Sequence, residues 1–222
     1  TAISEGTKNI LDNFGIWQKI KKNAEPISHI SVIDRTKTNN IMFSNPEINN
    51  YLGYIVENKF LKKIIINELI SNKKINLLEK SQITNIQISD NLATISTKNK
   101  KLSASLLIAA DGKKSFVRKI LKQPFFFKKY NQKALVVNLL HSKHHHNTAY
   151  EIFYDSGPLA SLPMVKGLNN KNRSSLVWSH NPEFIERLFN VNENFLSSLI
   201  EEQIENILFK VVKIENKQIF PL

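Results

Sequence analysis

The chain has 222 residues, no cysteine and a formal net charge of +12. Without cysteine, disulfides, thiolate metal sites and thiol catalysis are excluded. No apolar run reaches about 18 residues and no charged-then-apolar leader opens the sequence, so no transmembrane helix or signal peptide is expected. The length is enough for one large domain or two small ones, and the first residue is Thr1 rather than methionine, consistent with processing or with excision from something longer.

Clustered Lys and Arg bind a phosphate backbone by releasing counterions. Here the lysines are spread along a chain rich in Asn and Ile, and only Arg35, Arg118, Arg173 and Arg187 are arginine. Arginine makes the bidentate phosphate and base contacts, so the basic balance reads as a solvated lysine surface and no nucleic-acid partner is expected.

In chain order, Ser4 is placed to cap a helix over EGTKNILDNF, with Gly15 just past its end and GIWQKI as a further short turn. Pro26 breaks that pattern. ISHISVID and NNIMFS read as two strands joined by RTKTN, and residues 58–70 as a helix with Phe60, Leu61, Ile64, Ile65 and Leu69 on one face. INLLE, QITNIQIS and NLATIST read as strands, the last two as a hairpin through Asp90-Asn91. After LLIAADGKKSFVRKIL come four strand-like segments, KALVVNLL, AYEIFY, PLASLPMV and SSLVWSH, then helices from Pro182 and over ENFLSSLIEEQIENIL, and a last strand FKVVKI leading to KQIFPL. Mixed order of this kind predicts an α/β (α+β mixed) fold with interleaved layers rather than sequential domains.

The segment around Asp111 carries the sharpest question. An apolar run stops on Asp111-Gly112 just where Ser115 opens a helix. At the carboxyl end of a strand in an open α/β sheet, the carboxylate can accept from a ribose or flavin-side hydroxyl, Gly112 allows a tight exit, and Ser115 and Arg118 sit near a helix start. An Asp-Gly turn with Ser115 as N-cap is the other reading. From the residues alone both stay open.

Alongside LLIAADGKKSFVRKIL, seven further segments are informative in their order: TAISEGTKNILDNFGIW, AEPISHISVID, LGYIVENKFL, YNQKALVVNL, HHNTAYEIF, GPLASLP and SLVWS. Together they resemble the FAD-dependent aromatic hydroxylases of the p-hydroxybenzoate hydroxylase fold and, within them, the UbiH-type hydroxylases of ubiquinone biosynthesis. The resemblance implies a Rossmann-like FAD/NAD(P)-binding layer, partial in this chain and made of residues 1–25, 51–80 and 102–123. A mainly antiparallel substrate-domain sheet would come from 27–45 and 130–181, with 182–222 adding helices and a terminal strand. It implies ring hydroxylation of a polyprenyl phenol by FAD with NAD(P)H and O2, the cofactor carrying the chemistry, so that no catalytic side chain is assigned. Carried over residue by residue, Asp111, Gly112 and Arg118 fall near the FAD pyrophosphate and the nicotinamide path. Asn58 and Glu57 fall against the flavin nucleotide, and Gly157, Pro158 and Leu159 in the strand that walls the flavin ring and substrate pocket.

Two departures accompany the resemblance. The family's G-x-G-x-x-G turn and its later Gly-Asp motif do not occur in the 222 residues. The chain is therefore expected to be the middle of a hydroxylase, inactive by itself. Alternatives of other classes are a non-catalytic piece that binds ubiquinone-pathway proteins or a complementary fragment, and a basic binding module. The expected location is cytoplasmic, with peripheral contact to the inner membrane through the lysine-flanked Phe125-Phe126-Phe127 as one reading and a core or inter-domain role for those rings as the favoured one. His141, His144, His145 and His146 lack a metal-ligand spacing, and no metal is expected.

Overall fold

The computed structural model describes residues 1–36, 40–44, 51–204, 207, 208 and 210–222. In chain order, β1 (Ala2–Ser4) leads into α1 (Glu5–Asn13) and α2 (Trp17–Ile20), followed by β2 (Ala24–Ile27), β3 (His29–Asp34) and β4 (Asn40–Ser44). Then come β5 (Gly53–Val56), α3 (Asn58–Ser71), β6 (Ile83–Ser89), β7 (Leu92–Thr97), β8 (Lys101–Ala104) and α4 (Phe116–Ile120). The chain continues through β9 (Lys133–His141), β10 (Thr148–Tyr154), β11 (Gly157–Met164) and β12 (Asn172–His180), then α5 (Pro182–Asn190), α6 (Glu193–Ile204) and β13 (Val211–Pro221). Ser4 caps α1 as its position predicts, accepting from the Thr7 amide at 3.2 Å, and Gly15 takes φ +67° just beyond the helix.

Two compact units form, Thr1–Glu68 with Lys129–Leu222, and Leu69–Lys128. In the first, β1, β5 and β2 make a three-stranded antiparallel sheet, and a seven-stranded sheet runs β13-β9-β12-β11-β10-β3-β4. The second sheet thus holds β3 and β4 together with the five described strands that follow residue 130, β9 to β13. Within the RTKTN turn, residues 37–39 lie outside the described residues, as does residue 45. Pairing is antiparallel except for β10 with β3. Strand alternation gives this sheet two different faces. Leu135, Val137, Leu139, Ile152, Leu159, Leu176 and Trp178 point to one face and pack against Ile185 and Leu188 of α5 and Leu196, Ile200 and Ile204 of α6. On the other face Ala149 and Met164 pack against Ile27 and Ile55 of the small sheet.

In the second unit, β6, β7 and β8 form an antiparallel sheet with the hairpin at Asp90-Asn91. Two expected strands do not form. Residues 75–79 (INLLE) are irregular, because an Asx turn at Asn72 redirects the chain, the Lys74 amide donating to its Oδ1 at 3.0 Å. Residues 106–110, the run before Asp111, are likewise unpaired, with Leu106 and Ile108 72% and 76% exposed. An apolar run becomes a strand only when a neighbour takes its amides and carbonyls, and among the described residues none pairs with it. Four short strands, β1, β2, β5 and β8, escaped the sequence reading because three or four residues give no measurable alternation.

Candidate functional site

The Asp111 turn is built as a helix cap. Asp111 Oδ1 accepts from Ser115 Oγ at 2.5 Å, and Oδ2 accepts from the amides of Phe116 at 2.7 Å and Val117 at 3.1 Å. Ser115 Oγ in turn accepts from the Arg118 amide at 3.0 Å. These bonds, led by that from Ser115, hold the Asp111 carboxyl below its ordinary value. Its contribution to the turn is therefore present above about pH 4 and lost as pH falls through the lowered value. Arg118 folds back, Nη2 donating to the Lys113 carbonyl at 2.6 Å. Gly112 takes φ +81° with open space where a Cβ would sit. A cavity of about 580 Å³ lies beside it, lined by Ala109, Ala110, Asp111, Gly112, Ser115 and Arg118 among others. Asp111→Ala should leave the two sheets of the first unit intact and speed hydrogen exchange at the Phe116 and Val117 amides. Unchanged exchange there would show that the carboxylate does not hold the turn.

Glu57 and Asn58 stand at the corner where β5 passes into α3. The Glu57 carbonyl accepts from the amides of Phe60 and Leu61, so Glu57 rather than Asn58 occupies the cap position, and Asn58 is exposed. Sequence reasoning missed the partner of Glu57. Arg173 on β12 donates through Nη1 to Glu57 Oε1 at 2.7 Å and through Nε to Glu215 Oε2 at 2.5 Å. Lys59 adds a contact to Glu57 Oε2 at 3.0 Å. Arg173 above all holds the Glu57 carboxyl below its ordinary range. Glu57, Lys59, Lys166 and Arg173 line a cavity of about 210 Å³ at this corner. Nothing but proximity in the fold could have joined residues 57, 173 and 215.

The three β11 residues divide. Gly157 sits opposite Tyr154 across the hairpin with φ +137°, and a Cβ there would lie 2.4 Å from the Ser179 carbonyl oxygen. Leu159 is fully buried under α5 and α6, which removes it from any substrate pocket. Alternation places Pro158 on the opposite face of the sheet, with Val136, Ala160 and Val177 on the neighbouring positions. That face stays partly open beyond Ala149: Pro158, Val136 and Val177 are half-buried, and Phe153 is 45% exposed. Glu151, paired with Ala160 and Val32, projects onto it. Burial alone raises its carboxyl above the ordinary value. A half-buried acid in the middle of a strand on an apolar face was the available sequence clue.

The histidine cluster is structural. His145 Nδ1 accepts from the Asn147 amide at 3.1 Å, which leaves the proton on Nε2 facing the Met164 carbonyl at 3.2 Å. His141 bridges the Lys143 carbonyl and Ser174 Oγ at 2.7 and 2.9 Å. Among the described residues no group of His, Asp and Glu could hold a metal ion. Burial lowers the His145 pKa to about 4. The unfolded chain takes up this proton below about pH 6.5 and the folded chain only near 4, so stability should fall as pH drops through that window. His145→Gln should flatten this part of the stability profile measured by denaturant unfolding. An unaltered slope would assign the proton uptake elsewhere.

Comparison with known proteins gives these features a family. Residues 1–222 match the model of the FAD binding domain, and the chain belongs to that family. It is 29% identical over 189 residues to the ubiquinone hydroxylase UbiL of Rhodospirillum rubrum, covering 85% of this chain and 43% of that protein. It is 30% identical over 213 residues to the mouse mitochondrial ubiquinone biosynthesis monooxygenase COQ6, covering 87% and 42%. The chain thus spans about half the length of the curated relatives it matches. Among solved structures, PqsL of Pseudomonas aeruginosa, a probable FAD-dependent monooxygenase, superposes with a TM-score of 0.76 at 14% identity, covering 100% of this chain and 62% of that one. The p-nitrophenol 4-monooxygenase PnpA of Pseudomonas putida gives 0.68 at 14% identity, over 99% and 56%. Both share the mixed α+β fold.

Proposed function

We propose that this chain supplies the substrate sheet and the Asp-Gly turn of a flavin-dependent monooxygenase that hydroxylates a polyprenyl phenol in ubiquinone biosynthesis, with NAD(P)H and O2. The observation that carries the reading is the partly open apolar face of the seven-stranded sheet around Pro158, Ala160 and Val177, in a chain similar along most of its length to UbiL and COQ6. FAD, when bound, supplies the oxygen activation. The turn fits a portion of that cofactor: Gly112 leaves room for close approach and Arg118 brings a positive charge to the cavity beside it. Asp111 serves there by keeping the turn rigid, since both of its oxygens are already engaged. Glu57, locked by Arg173, fixes the β5–α3 corner and with it Asn58.

On the substrate side, Glu151 is the group able to take the proton of a ring hydroxyl. A phenol that shares its proton is more electron-rich and a better acceptor of oxygen, and an acid held above its ordinary pKa exchanges protons closer to neutrality. The half-buried aliphatic residues around it suit a ring with an apolar tail. A test needs only the 222-residue chain and a short-chain prenylphenol, followed by methyl NMR. Shifts centred on Ala160 and Val177, weakened about tenfold in affinity by Glu151→Gln, are expected. Shifts confined to other residues, or none at millimolar ligand, would contradict the assignment of this face.

A further inference from the structure

From Gly112 to Lys128 the chain carries six basic residues, Lys113, Lys114, Arg118, Lys119, Lys122 and Lys128, and no acidic one. The same stretch ends in Phe125, Phe126 and Phe127, which are 62%, 91% and 61% exposed. None of them belongs to a hydrophobic cluster among the described residues. The core role expected for these rings is therefore not what the structure shows. Arg118 ties the two features together, its guanidinium carbon 4.4 Å from the Phe125 ring centroid while Nη2 holds the Lys113 carbonyl. Three adjacent exposed phenylalanines in a segment of one charge sign are not an ordinary solvated surface.

We propose that this phenylalanine-tipped basic segment docks on the anionic surface of a lipid bilayer, the rings seated at the boundary of headgroups and acyl chains and the lysines facing the negative headgroups. Charge complementarity selects this occupant. Lysines gain from the diffuse potential of anionic lipid without needing a defined partner geometry, and exposed aromatic rings need only an apolar layer of a few ångströms to enter. A nucleic acid fits less well. Single strands stack on aromatic platforms held by a sheet and on arginine planes, whereas residues 122–128 have no regular structure and the only arginine of the stretch is already stacked on Phe125.

The whole 222-residue chain can be tested by co-sedimentation with phosphatidylcholine vesicles, with and without about 30% phosphatidylglycerol. At least tenfold stronger partition onto the anionic vesicles is expected, screened away by salt well above physiological strength, and at least tenfold lost in the Phe126→Ser, Phe127→Ser double variant. In a second measurement Phe126→Trp should shift its emission to the blue on anionic vesicles and be quenched by brominated lipid, against Trp17 and Trp178, which are already buried. Equal partition onto both vesicles, wild-type partition by the double variant, or no shift in Phe126→Trp would overturn the proposal. So would phenylalanine-dependent dimer formation or oligonucleotide binding by a chain that ignores the vesicles.

Discussion

Arg173→Met should lower the stability of the first unit by about 2 to 3 kcal/mol in denaturant unfolding, the largest effect expected of any charged residue here. Arg173 is 9% exposed and donates to two carboxylates that come from distant parts of the chain, Glu57 before α3 and Glu215 in β13. Methionine keeps most of the packing volume but takes the guanidinium from both acids, leaving Glu57 its contact to Lys59. Breaking a fully buried pair from one side costs about 3 to 5 kcal/mol, and the partial exposure of the two glutamates sets this case below that range. The pH dependence should change with it. With Arg173 present, the stabilisation is complete above the usual glutamate value and fades as pH falls through the lowered pKa of Glu57. In the variant that acid limb should shrink. A loss under about 0.5 kcal/mol would mean that water screens the cluster as it does an exposed ion pair.

Leu159→Ala should cost about 3 kcal/mol, whereas Pro158→Ala should cost less than about 1 kcal/mol. These neighbours occupy opposite faces of β11. Leu159 is 0% exposed among Ile152, Leu176 and Trp178 and the helices above them, so truncation leaves a cavity that the surrounding sheet cannot collapse around. Pro158 is half-buried on the open face, and its truncation should instead alter ligand binding there. Thermal and denaturant unfolding of the pair, with prenylphenol binding measured on each, separates core from pocket. Equal destabilisation by both changes would mean that the second face is packed like the first.

What the sequence made legible follows the range of the forces involved. Helix starts are local, so Ser4 over α1, Ser115 before α4 and the start of α5 at Pro182 could be expected from a few adjacent residues; Ser4 and Ser115 each accept from an amide inside the helix, and Asn181 proves to cap α5. The strands β9 to β12 are long enough for their alternation to show. The unpaired run at 106–110 was misread for the complementary reason, since its apolar residues look like a buried strand and only pairing across the fold makes one. At the candidate site, the Asp111-Gly112 turn was visible in the sequence, but not that its carboxylate is spent on two amides and Ser115. The Glu57, Arg173 and Glu215 cluster was invisible, because its members are joined only by the folding of separate sheets. Pro158 and Leu159, adjacent in one motif, were given a single role that strand alternation divides.

The central claim is that this chain carries the substrate-facing half of a flavin-dependent ubiquinone hydroxylase. Its most direct test is a chimera in which these residues replace the matching segment of UbiL, assayed with labelled dioxygen, NAD(P)H and a short-chain prenylphenol. The account predicts a yellow protein that places labelled oxygen on the ring, and a drop of about a hundredfold in turnover with its acid limb flattened when Glu151 is changed to Gln. A chimera that holds flavin and oxidises NAD(P)H but leaves the phenol unlabelled, or one whose turnover is indifferent to Glu151, would contradict it.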